Sequence, residues 1–258
     1  MNEYSALGSF YDRLMTDDNG KERAEYLSSL FKHYAGKMPK TLLDLACGTG
    51  NMCVEFASRG LDIVGVDNSE EMLSFAFEKA KAFTDKILLL KQDMRALDLN
   101  DTVDGGICVL DGLNHLTSRS DLDKVFDRLR LFIAPKVLFI FDVNTPWKQQ
   151  HVLGNHSFVM EEKGLLCSWQ NEYHEKTGIT DMYLDFFEEK EEGTYARYSD
   201  FVRERAYSKT VWENVLKRHE FQLEAILDDK TLNPASDTAE RWVIVARNMR
   251  DEKEFLGE

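Results

Sequence analysis

The 258 residues read as an α/β protein: a doubly wound, mostly parallel sheet of seven strands, interrupted by a small antiparallel β insertion. Three observations predict this. Between Thr41 and Asn144 five short apolar runs alternate with helical patterns, and such runs are typical of strands covered by helices on both faces. From residue 156 to 207 the helical patterns stop; apolar and polar residues alternate, punctuated by Gly164, Gly178 and Gly193. After Tyr207 a helix and two further strands return.

The elements follow in order. From Lys21 to Tyr34, residues Ala24, Leu27, Leu30, Phe31 and Tyr34 fall at helical spacing, with Gly36 as a stop. "TLLDLA" is the first strand, Asn51 to Ser58 a helix and "LDIVGVD" the second strand. Residues 69–83 form a helix capped by Ser69 or Asn68, with two glutamates in its first turn. "KILLLKQD" and "VDGGICVLD" are the third and fourth strands, Ser120 to Phe132 a helix, and "KVLFIFDVN" the fifth strand. The insertion reads as a meander of about four strands, with Met182, Leu184 and Phe186 set against Asp181, Tyr183 and Asp185. A helix from Thr210 to His219 and the strands "FQLEAILDD" and "ERWVIVARN" complete the sheet. Residues 1–150 are thus the main α/β part, 151–207 the insertion, and 208–258 the end of the α/β part with a polar tail.

Composition bounds the partners. With 43% hydrophobic residues the chain can bury a core without staples. A net charge of -14 repels phosphate backbones and anionic membranes, so the expected partner is a small molecule, with no nucleic acid and no membrane. Monomer and homodimer are both compatible. Cys47, Cys53, Cys108 and Cys167 form no CxxC pair, which signals no metal site and fits a reducing cytoplasm. "MNEYSALGSFYDRLM" lacks the basic end and apolar stretch of a signal peptide.

The chemistry concentrates at strand ends. In "TLLDLACGTGN" the first strand runs into Gly48 and Gly50 immediately before a helix. Glycines there allow a sharp turn and close approach of a ligand to the main chain, and the helix start offers unpaired N–H groups. A tight strand-to-helix turn, a dinucleotide fingerprint and an adenosyl-sulfonium site are three readings of it. The fingerprint GxGxxG breaks because Cys53 holds its third glycine position. Asp67, closing the second strand, is placed to accept both hydroxyls of a ribose. Asp93 and Met94 end the third strand, where a carboxylate and a flexible thioether suit an adenine amine and ring. Leu110 and Asp111 close the other side. Each alone also reads as a cap or core residue; their occurrence at successive strand ends is what favours a ligand.

On these residues the chain resembles the class I S-adenosylmethionine-dependent methyltransferases from about Tyr4 to Asn248. "LLDLACGTGN" is similar to their glycine-rich motif, "VDNSEEML" to the ribose loop, "QDMRAL" to the adenine loop and "LDGLNHL" to the segment after the fourth strand. The resemblance implies a Rossmann-like fold with a seventh strand antiparallel to the rest, which "RWVIVARN" supplies, and S-adenosyl-L-methionine as cofactor. "FYDRLM" resembles the start of a bacterial subgroup whose first helix folds over the cofactor, so Tyr11 is implied to close on its methionine end. Gly48 is implied at the methionine moiety, Asp67 at the ribose, and Asp93 with Met94 at the adenine. Ala46, Gly50, Asn68, Met72 and Leu110 complete the implied cofactor set.

The acceptor side is less defined. Transfer from a sulfonium needs mainly alignment and exclusion of water, and a base only where the acceptor is protonated. "DGLN" stands where methyltransferases acting on nucleic-acid bases carry an Asn/Asp-Pro-Pro-aromatic tetrad, which speaks against a flipped base. His115, with Tyr11, is a candidate catalytic residue, since an imidazole titrates near neutrality; it also reads as a half-buried loop histidine. The subgroup tends to have tyrosine at that place. Asn114, Trp169, Tyr173 and Arg203 are the candidate substrate contacts, set against the reading of a merely packed sheet face. The subgroup often has a histidine near "DFVRERAYS", where Val202 stands here. The expected function is methyl transfer to a nitrogen or oxygen of a small molecule. A non-catalytic cofactor-binding sensor and a nicotinamide-dependent oxidoreductase are the alternatives.

Overall fold

The computed structural model describes residues 7–14 and 20–251. Its main sheet contains β1 (Thr41–Leu45), β2 (Asp62–Asp67), β3 (Ile87–Lys91), β4 (Gly106–Cys108), β5 (Leu138–Asn144), β10 (Phe221–Asp228) and β11 (Arg241–Asn248). The strand order is β10-β11-β5-β4-β1-β2-β3. The pairs among β1 to β5 are parallel, whereas β11 runs antiparallel between β5 and β10. Connections from β1 and β4 leave in opposite directions, so a crevice opens beyond their carboxyl ends, as expected of such sheets.

Helices cover both faces. Helix α5 (Arg119–Phe132) and α6 (Lys209–Arg218) bury Phe126, Leu129, Trp212 and Leu216 on one side of the sheet. Phe126 meets the rings of Phe139, Phe141 and Phe221 edge-on, a geometry favoured by the aromatic quadrupole. Helix α2 (Gly20–Ala35) and α3 (Asn51–Ser58) bury Leu27, Leu30, Phe31, Met52 and Phe56 on the other side. Each such side chain contributes about 1.5–3 kcal/mol on leaving water. Helix α4 (Glu70–Ala80) is capped by Ser69, whose hydroxyl accepts the Met72 N–H; residues 81–83, expected as its continuation, tighten into a 3-10 turn. β3 is apolar but not buried throughout, because it lies at the sheet edge with Leu88 half-exposed.

The insertion is a separate antiparallel sheet of β6 (Ser157–Glu162), β7 (Leu165–His174), β8 (Ile179–Glu189) and β9 (Tyr195–Arg205), paired in that order. Gly164, Gly178 and Gly193 sit at its three turns with φ of 71°, 67° and 72°, a region that glycine occupies without strain. Its buried face carries Leu165, Cys167, Met182, Leu184, Phe186 and Val202. Helix α1 (Leu7–Leu14) lies on that face through Phe10, whose ring is 5.2 Å from Phe186. A single π-helical turn, Lys148–Leu153, joins β5 to the insertion; no feature of the sequence marks it as helical. The four cysteines are buried thiols. Among the described residues no helix is long and apolar enough to cross a membrane.

Candidate active site at the junction of two sheets

One cavity of about 750 Å³ runs from the ends of β1 to β4 to the inner face of the insertion. Its first half is built by backbone. Beyond β1, Ala46, Gly48 and Gly50 all adopt positive φ, at 58°, 53° and 79°. A Cβ on Gly48 would meet nothing within 4 Å, so the open space is beside the chain and the demand for glycine is conformational. A Cβ on Gly50 would lie 2.8 Å from Cβ of Ala76. Gly50 therefore lets α3 and α4 approach and does not line the cavity, a correction to its expected place at the cofactor.

Asp67 ends β2 as expected from "LDIVGVD". Its Oδ2 accepts the Gly48 N–H at 2.8 Å and its Oδ1 the Ser69 N–H at 2.8 Å. Each oxygen thus spends one lone pair on backbone and keeps another for a neighbouring hydroxyl. Burial raises its pKa above the usual carboxylate range. Asn68 and Met72 line the same wall. Asp93 and Met94 also line the cavity, but the Asp93 carboxylate is held by the Arg95 side chain and main-chain N–H, at 2.9 Å for the latter. The guanidinium keeps it below the usual carboxylate range. An adenine amine would have to share that carboxylate with Arg95.

The cavity floor is a strained turn. Leu110 and Asp111 are consecutive non-glycine residues at φ of 55° and 60°, a conformation costing of order 1–3 kcal/mol each. Asp142 of β5 holds them there, accepting the Leu110 N–H at 3.0 Å and the Asp111 N–H at 2.9 Å. Asp142 is 1% exposed and also pairs with Arg241 and, at 3.1 Å, with Arg23. Gly112 follows because a Cβ there would lie 2.8 Å from Cys108 Sγ and 2.9 Å from Ala46 Cβ.

The far half is built by side chains. His115, on a 3-10 turn after β4, lines the cavity, and its ring can bring a nitrogen within 4.8 Å of carboxylate oxygens of Asp111 and Glu204. Glu204 of β9 is buried, and its Oε2 accepts from Asn144 at 3.0 Å and Gln149 at 2.9 Å. Burial first, then the neighbouring Asp111 carboxylate, pushes its pKa up to about 8. Asp111 pairs with Arg241 at 2.6 Å; despite burial, that guanidinium holds it well below the usual carboxylate range. Lys148, from the π-helical turn, donates to Asn144 Oδ1 at 3.0 Å, and burial lowers its pKa. Trp169, Met160, Met182, Leu184, Phe186 and Val202 form the opposing apolar wall.

Three expected acceptor contacts are elsewhere. Asn114 is fully buried: its amide donates to the Asn144 and Arg205 carbonyls at 3.2 and 3.0 Å, and its oxygen accepts the Asn144 N–H at 2.9 Å. It pins three segments together and does not line the cavity. Arg203 points outward and pairs with Asp181, and Tyr173 lies beyond the cavity wall. The Tyr11 side chain lies outside the described residues, though α1 itself is tied to the glycine loop. There Asp12 accepts from Thr49 at 2.8 Å and Asn51 at 3.0 Å and pairs with Lys79 at 2.5 Å.

Sequence reasoning passed over Glu204, Lys148, Asn144 and Arg241. Glu204 carried a signal, since β9 pairs Met182 with Val202 and Thr180 with Glu204. A glutamate two residues beyond Val202 therefore shares the apolar face, and Arg203 alternates away from it. Lys148 and Arg241 carried none, because the turn and the strand ends that bring them in are tertiary features.

Comparisons with known proteins agree with this geometry. Residues 42–136 match the methyltransferase domain family. A provisionally named methyltransferase of Geobacillus sp. (strain WCH70) is 28% identical, covering 95% of this chain and 99% of its own. Another, YqeM of Bacillus subtilis (strain 168), is 29% identical over 96% of this chain and 98% of its own. The crystal structure of an S-adenosylmethionine-dependent methyltransferase from Clostridium acetobutylicum ATCC 824 superposes with a TM-score of 0.85 at 28% identity, covering 95% of this chain and 98% of that one.

Proposed function

The chain belongs to the class I S-adenosylmethionine-dependent methyltransferases, and from that premise we propose that it methylates a nitrogen or oxygen of a small molecule held between its two sheets. The cofactor supplies a methyl group already activated on sulfur. The observation that carries the reading is the continuity of the cavity, from Asp67 and Gly48 to Glu204, His115 and the apolar face of β7, β8 and β9. A sensor would need only the first half.

The residues divide the work. Gly48 offers close backbone approach, Asp67 two oxygens for a diol, and Met94 a polarizable face for a flat ring. Asp142 holds the 110–112 turn under the cavity. The insertion and α1 exclude water from the far half, which strengthens every polar contact there. Among several orders of magnitude available from positioning alone, none requires a dedicated base. On this proposal the insertion, 151–207, acts as acceptor wall, and 1–150 with 208–258 as cofactor-binding part.

Calorimetry with S-adenosylhomocysteine, followed by its release during incubation with S-adenosylmethionine and panels of amines, phenols and alcohols, tests the reading. Binding of S-adenosylhomocysteine with turnover of at least one panel is the expected result. Binding without any turnover would favour the sensor. Stabilisation by NAD instead of S-adenosylmethionine would remove the assignment altogether.

A further inference from the structure

Three cations stand around the far end of the cavity, and two of them are already paired. Arg23 pairs with Asp142 and Asp229, and Arg241 with Asp142 and Asp111. Glu204 is hydrogen-bonded to Asp111, and burial beside that carboxylate keeps a proton on it up to about pH 8, so it is a neutral acid at neutral pH. Lys148 is the third cation. Its ammonium makes one hydrogen bond, to Asn144 Oδ1 at 3.0 Å, and no ion pair among the described residues. Asn144 is fixed in that role because its own amide donates to Glu204. The lysine is held at the start of the π-helical turn: its N–H donates to Thr145 Oγ1 at 3.0 Å, and that hydroxyl donates to the Ala239 carbonyl at 2.6 Å. The charged and titratable groups that act on it are Arg241, Asp111, Glu204 and Glu240, of which Asp111 is bound to Arg241. An ammonium has three donors. Two of them find no acceptor among the described residues, and Lys148 lines the cavity.

We propose that the methyl acceptor carries an oxyanion on an apolar body and that Lys148 holds the oxyanion. This deepens the methyl-transfer reading and rests on it. The body lies against Trp169, Met182, Leu184 and Val202. Trp169 spends its one donor on Asn171 Oδ1, at 2.6 Å, so its ring offers that body an apolar face alone. An oxyanion gives the spare N–H groups charge-assisted bonds and favours the charged form of the lysine. An ammonium would instead meet Lys148 and the cofactor's sulfonium, with Asp111 and Asp142 already paired and Glu204 neutral. A neutral head leaves the lysine as it was.

Two sources supply such an oxyanion: an ionised phenol that itself takes the methyl group, or a carboxylate that anchors a neighbouring acceptor atom. In the first case no proton has to move. An oxygen lone pair forms the O–C bond, the C–S bond breaks with its pair on sulfur, and the negative charge on oxygen cancels the positive charge on sulfur. In the second case the carboxylate is unchanged by the reaction.

Matched pairs, titrated by calorimetry at neutral pH into the full chain saturated with S-adenosylhomocysteine, test this. They are benzoate against benzamide, and pentafluorophenol, which is ionised there, against pentafluoroaniline, which is uncharged. In at least one pair the anion is expected to bind about tenfold or more tightly than its neutral partner, and the pair that shows it identifies the source. Lys148→Met is expected to abolish that preference while the neutral partners and S-adenosylhomocysteine bind as before, and Lys148→Arg to restore part of it. Neutral partners that bind as well as both anions, anions that do not bind, a preference that survives Lys148→Met, or benzylamine binding more tightly than either anion would overturn the proposal. Should Lys148→Met not fold, Lys148→Gln takes its place, and where neither folds the ranking in the parent protein decides. Failure of S-adenosylhomocysteine to bind the parent would overturn the underlying methyl-transfer reading instead.

Discussion

The two halves of the cavity are made differently. The half at the ends of β1 to β3 is local: backbone amides at positive φ, a glycine beside open space, and a carboxylate that closes its own strand. The half under the insertion draws on β5, a π-helical turn, β9 and β11, which are up to about a hundred residues apart in sequence, and uses charged side chains in place of backbone. A ligand common to many enzymes suits the first kind of site, and a ligand particular to one suits the second. Asp142 is where they meet, since it fixes both the 110–112 turn and Arg241.

That division can be broken at its joint. Asp142→Ala removes the acceptor of the Leu110 and Asp111 amides and one of the carboxylates on each of two buried guanidiniums, which keep Asp229 and Asp111, and is expected to cost about 3 kcal/mol, read by urea unfolding. A loss below about 1 kcal/mol would show that the two halves do not share this support. Asp67→Ala acts on one half only. S-adenosylhomocysteine affinity is expected to fall about a hundredfold while the fold is kept; unchanged affinity by calorimetry removes Asp67 from the ribose. Gly112→Ala forces a methyl group against Cys108 and Ala46 and is expected to cost about 1–3 kcal/mol, with a crystal structure showing the Ala46 loop displaced.

The pH dependence sharpens the contrast further. Burial raises Asp44, beneath the glycine loop, to about 7 and Glu204 to about 8, so the folded state holds protons that the unfolded state releases from about pH 4.5 upward. Stability is therefore expected to decline from about pH 5 to 8 in thermal melts. Asp44→Asn and Glu204→Gln should each flatten part of that decline, and Glu204→Gln the portion nearer pH 8. An unchanged slope in both would mean that neither carboxyl takes up a proton on folding. The smallest effect belongs to Arg203→Ala, on the outward face of β9. Arg203 is half-exposed, and although Asp181 is buried it keeps His174 as a second partner, so the loss is expected to be about 1 kcal/mol in urea unfolding, with S-adenosylhomocysteine affinity untouched. A fall in that affinity would reverse the strand phase that turns Arg203 away from the cavity.

Legibility followed the same line. "LLDLACGTGN", "VDNS" and "QDM" announced Gly48, Asp67, Asp93 and Met94, because each residue lines the cavity just beyond or at the end of the strand that leads to it. Gly50 was misplaced since its constraint is a neighbour, Ala76, on another helix. Asn114 looked like a contact because it follows the fourth strand, and proved to be a buried pin for three segments. In β9 the alternation was visible but its phase was not weighed, so Arg203 was favoured over Glu204.

From its sequence alone, then, the chain determined an alternating sheet, its β insertion, and the turns that line the cavity beyond the strand ends, because these follow from short-range periodicity and from the backbone freedom of particular glycines. Which charges gather at the other end of the cavity was decided only by tertiary structure. Lys148, Glu204 and Arg241 come from separate elements, and burial beside Asp111 keeps a proton on Glu204 only once the fold has brought them together.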